Sequence, residues 1–261
     1  MRLSSVRVTS ATGAKRGSMT AAKASRRVIP IRDFSSCTFC SVRRLCLPHG
    51  LHDKDLSAVE ELVGMRPQYD KGESIFRQAD KFTSLYAIKS GSVKTYGVLR
   101  NGKEQITGFH FAGELLGLDA ICNEIHNCNA AALEKTVICE IPYNSIESLI
   151  GEIPSLHADF ARILSKELHR DDEMLMILGN MSAEQRVACF LYNMYRRLKT
   201  QGEATNEMHL PMTREEIGNY LGLSLETVSR RLTGLQNNNI ISVHNRVIKL
   251  LDIEQLHSHC I

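Results

Sequence analysis

The chain has 261 residues, 43% of them apolar, enough for two modest cores and appendages. It contains no run of 18 or more apolar residues, so no membrane span is expected. The formal net charge is +3, but residues 1–36 carry eight Lys/Arg against one acid, Asp33, and the remainder carries −4. The basic balance therefore belongs to the tail, and overall charge is no argument for nucleic-acid binding.

The tail has no apolar h-region of a secretory signal. Its Arg/Ser/Ala bias superficially suits a transit peptide; a start at Met19, or an unstructured basic tail over 1–36, is the simpler expectation. With no export signal, the eight cysteines are expected in a reducing cytoplasm, where clustered thiols point to metal and away from disulfides.

Cys37, Cys40 and Cys46 follow, three thiols within ten residues (37–50 as a cysteine-rich loop). Three thiols leave an odd one after any pairing, whereas a metal or metal cluster accepts three or four thiolates. By spacing alone two readings stay open. One is zinc held by Cys37, Cys40, Cys46 and His49; the other is an iron–sulfur centre completed by a distant cysteine. Cys122, Cys128, Cys139, Cys189 and Cys260 are the candidates for that fourth place.

Residues 52–63 predict a short amphipathic helix with Leu56, Val59 and Val63 on one face. From about 65 to 142, short β-branched and aromatic runs (SIF, SLYAI, SVKTYGVL, EQITGFHF, VICEI) alternate with turns at Gly72, Gly91 and Gly113 and a hairpin at Asn101-Gly102. That spacing predicts a β-roll or jelly roll over 51–153. Residues 155–181 predict one long helix with a stripe of Phe160, Leu164, Met174, Leu178 and Met181. Its register places Glu167 and Asp171 in or beside a seam, where twin copies would repel. The blander reading is a stripe that packs on its own domain. Another helix is expected at 184–199, then a polar loop at 200–208.

Residues 212–236 predict two short helices about a tight turn. Thr213 and Glu216 form a capping-box signature, Gly218 allows close helix packing, Gly222 suits the turn and Ser224 can cap the second helix. Leu225, Val228, Leu232 and Leu235 make the buried stripe, leaving Glu226, Ser229, Arg230 and Thr233 outward at i, i+3, i+4 and i+7. Arg can pair with guanine, Glu with cytosine and Ser with a base edge or phosphate. Thr213 and Thr227 join Glu226, Ser229 and Arg230 as the expected DNA contacts. Residues 240–248 then predict a β-hairpin wing.

Met212–Leu235 resembles the helix-turn-helix of cyclic-AMP-receptor-like bacterial regulators. The Cys37/Cys40/Cys46 loop, SLYAIKSGSVKTY with EQITGFH, and ALEKTVICEIP narrow the resemblance to the fumarate and nitrate reduction regulator (FNR) branch of the CRP/FNR family, over roughly residues 37–255. The resemblance implies an α+β fold with a β-roll (jelly-roll, cyclic-nucleotide-binding-like) sensor domain over 51–153, a long dimerisation helix over 154–181 and a C-terminal winged helix-turn-helix over 182–261. It implies one [4Fe–4S] cluster per chain, which oxygen converts, with Cys139 as fourth ligand, and so favours iron–sulfur over zinc. It implies a cluster-loaded homodimer on palindromic TTGAT-type DNA, and RNA polymerase contacts from loops 98–104 and 198–208.

Glu167, Leu168 and Asp171 are the expected dimer switch, and Ser41 and Leu45, beside the ligands, are expected to tune oxygen access. Nucleotide-binding relatives follow Gly-Glu-Leu with an Arg for the cyclic phosphate. Gly113-Glu114-Leu115 is present, but no Lys or Arg occurs from Leu115 to Glu134, so no cyclic nucleotide is expected. An iron–sulfur enzyme or electron carrier would not need the helix-turn-helix, and no nucleophile–base constellation stands out. The expected function is an oxygen-responsive transcription regulator, not an enzyme.

Overall fold

Two antiparallel four-stranded sheets form from the β-branched and aromatic runs of the first half. A computed structural model describes residues 36–64, 66–200 and 206–260. The tail expected over 1–36 lies almost wholly outside the described residues, as do positions 201–205 of the polar loop. The strands are β1 (Gln68–Tyr69), β2 (Ser74–Phe76), β3 (Ser84–Ser90), β4 (Ser92–Val98), β5 (Glu104–Phe111), β6 (Leu115–Leu116), β7 (Asn129–Ala132) and β8 (Thr136–Pro142). One sheet has the order β1-β8-β3-β6, the other β2-β7-β4-β5. Their facing residues, including Ile75, Phe76, Ile88, Val93, Ala130 and Ile138, fill the interior of the roll. Gly91 and Gly113 take φ of +85° and +91°. At Gly113 a Cβ would lie 2.5 Å from Leu45 Cβ, so only glycine lets the cysteine loop lie this close.

Three helices cover the outer side of the first sheet: α1 (Asp53–Leu62), α2 (Tyr143–Glu152) and the start of α3 (Pro154–Asn180). Leu47, Leu51, Val59, Leu85, Ile141, Ile146 and Leu156 are buried together there, with Cys46 and Cys139 packed against them. A fully buried leucine such as Leu47, 0% exposed, is worth about 2–3 kcal/mol. The cysteine loop is therefore seated on β3 and β8 by its own apolar residues.

The long helix runs 27 residues. Phe160 packs into the sensor-side cluster and Met174 against the C-terminal core. Ile177 is buried, and the Met181 sulfur meets the Cys189 thiol at 3.5 Å. The expected stripe is therefore largely the side that packs on its own chain. The outward side instead carries Leu168, Leu175 and Met176, which are 67%, 69% and 62% exposed. An isolated 3.6-residue repeat cannot tell these two sides apart, because both are apolar.

Beyond it come α4 (Ala183–Thr200), β9 (Glu207–His209), α5 (Arg214–Leu221), α6 (Leu225–Asn237), β10 (Ile241–His244), β11 (Val247–Leu250) and α7 (Ile253–Ser258). β10, β11 and β9 form a small antiparallel sheet in that order, the wing. Its core, with Val187, Leu191, Ile217, Val228, Leu232 and Ile248, is continuous with Ile106, Phe109, Phe111 and Leu133 of the roll. The fold is α+β: a cyclic-nucleotide-binding-like roll, helices and a winged helix-turn-helix.

Candidate metal centre and DNA-reading face

Cys37 opens a short 3-10 turn (Cys37–Phe39), Cys40 closes it, and Cys46 lies beside the buried Leu47. Cys139 sits on β8 opposite Ala87 of β3. All four thiols are half-buried. Cys139 lies within electrostatic reach of Cys37, Cys40 and Cys46. Burial holds the Cys37 thiol up at about 11, with Cys139, Glu60 and Cys40 adding to it. Burial raises Cys46 as well, with Cys139, Cys37 and Cys40 contributing. Cys139 is raised by burial while Arg66 opposes. Free of metal, Cys37, Cys46 and Cys139 are thus neutral thiols at pH 7.

Among the described residues no three His, Cys, Asp or Glu side chains converge tightly enough for one ion. A single zinc needs sulfurs about 3.7 Å apart, from tetrahedral 2.3 Å bonds. In a four-iron cluster each iron takes one thiolate, so the four sulfurs stand around a larger body. By donor chemistry Cys37, Cys40, Cys46 and Cys139 offer the four thiolates such a group takes, and His49 is exposed at the far end of the loop.

Residues around the thiols were not legible from spacing. The Cys37 N–H donates to Glu60 Oε2 at 3.1 Å, and the Arg66 charge favours the Cys139 thiolate. The loop ends at Gly50, whose N–H donates to Asp159 Oδ2 on α3 at 2.7 Å. Ser41 is exposed, and Leu45 is half-buried against Gly113.

On α3, Leu168 and Asp171 face outward. Burial raises the Asp171 carboxyl and neighbouring Asp172 adds to it. Glu167 lies one helical turn before Asp171 and is half-buried. Arg170 holds it at 2.5 Å and also reaches Glu114 at 2.8 Å. Glu114 in turn takes Arg197 at 2.7 Å, and Arg197 donates to the Phe109 carbonyl. The ion pairs link Glu167, through Arg170 and Glu114, to its own roll.

In the helix-turn-helix, Glu216 N–H donates to Thr213 Oγ1 at 3.1 Å and Thr213 N–H to Glu216 Oε2 at 2.8 Å, a full capping box. Thr213 is thereby engaged as a cap. At Gly218 a Cβ would fall 2.6 Å from the Leu223 carbonyl oxygen, and Gly222 has φ +65°. Ser224 caps α6 by accepting from Thr227 N–H at 3.2 Å. Glu226 and Arg230 are exposed and Ser229 is half-buried, all on the side of α6 away from its core. Arg230 donates to Thr227 Oγ1 at 3.3 Å, and Arg214 to Ser229 Oγ at 3.3 Å. The arrangement offers cation, acceptor and hydroxyl groups to a groove.

The two halves are clasped. Lys94 meets Glu216 at 2.8 Å. Asn219 accepts from Ile106 N–H at 2.6 Å and donates to the Glu104 carbonyl at 2.8 Å. Gln105 donates to the Asn219 carbonyl at 2.7 Å. None of the described helices is long and apolar enough to cross a membrane.

The family description "Cyclic nucleotide-binding domain" matches residues 66–152, and "Crp-like helix-turn-helix domain" matches 185–258. The chain is 41% identical over 220 residues to the fumarate and nitrate reduction regulatory protein of Yersinia pestis, covering 84% of this chain and 88% of that protein. It is 42% identical to the transcriptional activator protein Anr of Pseudomonas protegens, covering 84% and 90%. The solved structure of FixK2 from Bradyrhizobium japonicum superposes with a TM-score of 0.69 at 32% identity, over 74% of this chain and 96% of that one. By fold, helix-turn-helix and relatives together, the chain belongs to the FNR branch of the CRP/FNR family of bacterial transcription regulators, and it is not an enzyme.

Proposed function

We propose that this protein is a cytoplasmic, oxygen-responsive transcription regulator that binds palindromic DNA as a homodimer when oxygen is absent and controls aerobic and anaerobic gene expression. What supports it is Cys139 of β8 lying within electrostatic reach of Cys37, Cys40 and Cys46, together with the anaerobic regulators among the relatives. These four residues would hold a [4Fe–4S] cluster, which supplies a redox centre open to attack by oxygen. The names of the curated relatives support an anaerobic role.

The chain's own contacts supply the relay. The loop is bonded to α3 through Gly50 and Asp159 and wedged on the roll through Leu45 and Gly113. Ordering the loop therefore bears on how α3 is held. The outward Leu168, Leu175 and Met176 offer an apolar seam to a second copy, and Asp171 opposes pairing by like-charge repulsion. A bias of about 1–3 kcal/mol, typical of coupling between sites, is enough to tip that balance. The paired molecule presents two α6 helices to half-sites about one helical turn apart. Glu226, Ser229 and Arg230 read bases of TTGAT-type half-sites, and Ser41 and Leu45 limit oxygen access. Loops 98–104 and 198–208 meet RNA polymerase. No cyclic nucleotide takes part: Glu114 of the Gly-Glu-Leu element is held by Arg170 and Arg197 of its own chain.

Purification without oxygen, followed by iron, sulfide and zinc analysis and a visible spectrum before and after air, tests the reading. About four iron and four sulfide per chain, with a band that bleaches in air, is the expected result. One zinc, little iron and no response to air would make the protein a zinc-stabilised DNA-binding regulator instead.

A further inference from the structure

Arg66 precedes Pro67, whose carbonyl accepts the Ile138 N–H at 3.1 Å, one residue before Cys139. Strand pairing between β1 and β8, Gln68 opposite Val137, fixes this neighbourhood. The Arg66 charge acts on the Cys139 thiol and also reaches Cys37. Its Nε is buried and has no hydrogen-bond partner. A buried donor without an acceptor calls for an explanation, and an unsupplied ligand is one. Lys89 adds a more distant positive charge at Cys139, while Glu60 places a negative one beside Cys37.

Four thiolates outweigh the positive charge of an iron–sulfur core, so a loaded site is a half-buried anion. Anions in such places need a paired cation. We propose that Arg66 is the counter-ion of the loaded cysteine site and sets how fast it is oxidised. The proposal rests on the iron–sulfur reading above. The step Arg66 opposes is transfer of one electron from the cluster to dioxygen, which becomes superoxide. That transfer makes the cluster less negative, so a neighbouring cation stabilises the state before it. Net charge and hydrogen bonds to the sulfurs are among the quantities that set such potentials. The free Nε–H and the guanidinium charge would both act on sulfur.

The test compares the wild-type chain with Arg66→Lys, Arg66→Gln and Arg66→Met, each loaded with iron and sulfide without oxygen. The readouts are iron and sulfide per chain and the rate at which the visible band bleaches in air. Circular dichroism melts of the metal-free chains check the fold, and Arg66→Met provides a second uncharged side chain should Gln unfold the protein. The uncharged variants are expected to bleach at least about 5-fold faster than wild type, the range of a lost charge-assisted hydrogen bond. Arg66→Lys is expected to stay within about 2-fold, because it keeps the charge. Equal rates in all four at equal iron content would overturn the proposal. So would a Lys variant as fast as the uncharged ones, since shape and not charge would then matter. A wild-type chain that takes up no iron fails the iron–sulfur reading itself, and the proposal with it.

Discussion

The Gly50 N–H and the Asp159 carboxylate meet at 2.7 Å across 109 residues of sequence, joining the end of the cysteine loop to the long helix. Asp159 is 7% exposed and also holds Arg162 at 2.5 Å. A buried charge with two partners loses its purpose when neutralised. Asp159→Asn should therefore destabilise the folded chain by about 1–3 kcal/mol, measured by urea unfolding. It should also weaken dimer formation by the loaded protein in sedimentation. An unchanged urea midpoint would mean the carboxylate contributes no such bond.

A second contact links the halves. Asn219 accepts from the Ile106 N–H and donates to the Glu104 carbonyl of β5. Ile106 is 4% exposed, so water cannot readily replace the lost partner. Asn219→Ala should cost about 1–3 kcal/mol and raise hydrogen exchange at the Ile106 amide selectively. Exchange equal to wild type at that amide would count against the clasp.

Much of this was legible beforehand, for identifiable reasons. The Thr213/Glu216 box, Gly222 and the Ser224 cap are local devices, so the helix-turn-helix could be read from them. The roll was legible where strands carry β-branched or aromatic residues, as at Ser84–Ser90. It was illegible at Asn129–Ala132, where three alanines, ordinarily helix formers, lie in a strand paired on both edges with β2 and β4. The helix Tyr143–Glu152 also went unread. At the cysteines, spacing revealed the loop but resemblance supplied Cys139. Asp159, Arg66 and Arg170 were invisible because each has a partner that lies far away in sequence.

Asp171 stands on the exposed side of α3 between Leu168 and Leu175. Replacing it with Ala removes the charge and leaves an apolar seam. Asp171→Ala should sediment as a dimer in air and bind a palindromic site there. Leu168→Asp should stay monomeric even when loaded without oxygen. Aerobic monomers of Asp171→Ala would sink the repulsion account.

Acid should weaken the protein in a defined window. Burial, reinforced by Arg197 and Arg170 and opposed by Glu114, holds His110 down at about 4, against 6.5 when unfolded. The unfolded chain therefore takes up a proton that the folded chain refuses. Stability from this group is complete above 6.5 and falls as pH drops toward 4, by up to about 1.4 kcal/mol per pH unit. Burial pushes Glu114 up, but Arg197 and Arg170 outweigh it and hold it at about 2 against 4.5, so its contribution falls in the same direction at lower pH. Comparing urea midpoints at pH 7 and pH 5 should show a smaller drop in His110→Gln than in wild type. Identical drops would show that His110 does not titrate in this way.

Arg230 lies on the outward side of α6, its guanidinium near Thr227. Arg230→Ala should weaken binding to a TTGAT palindrome by about 1–3 kcal/mol and relax the preference over scrambled DNA. A Ser229→Ala change should do less, since Arg214 already occupies that hydroxyl. Loss of affinity equal for both DNAs would assign Arg230 to phosphate.

The apolar core running from Phe109 and Phe111 of the roll to Phe190 and Tyr220 of the C-terminal half makes the protein poorly modular. A chimera with another relative's DNA-reading half would set Ile106 and Phe109 against unfamiliar neighbours and leave Asn219's partners unmatched. Exchange of specificity between such proteins must then proceed through a few residues on α6, with the body of the head retained.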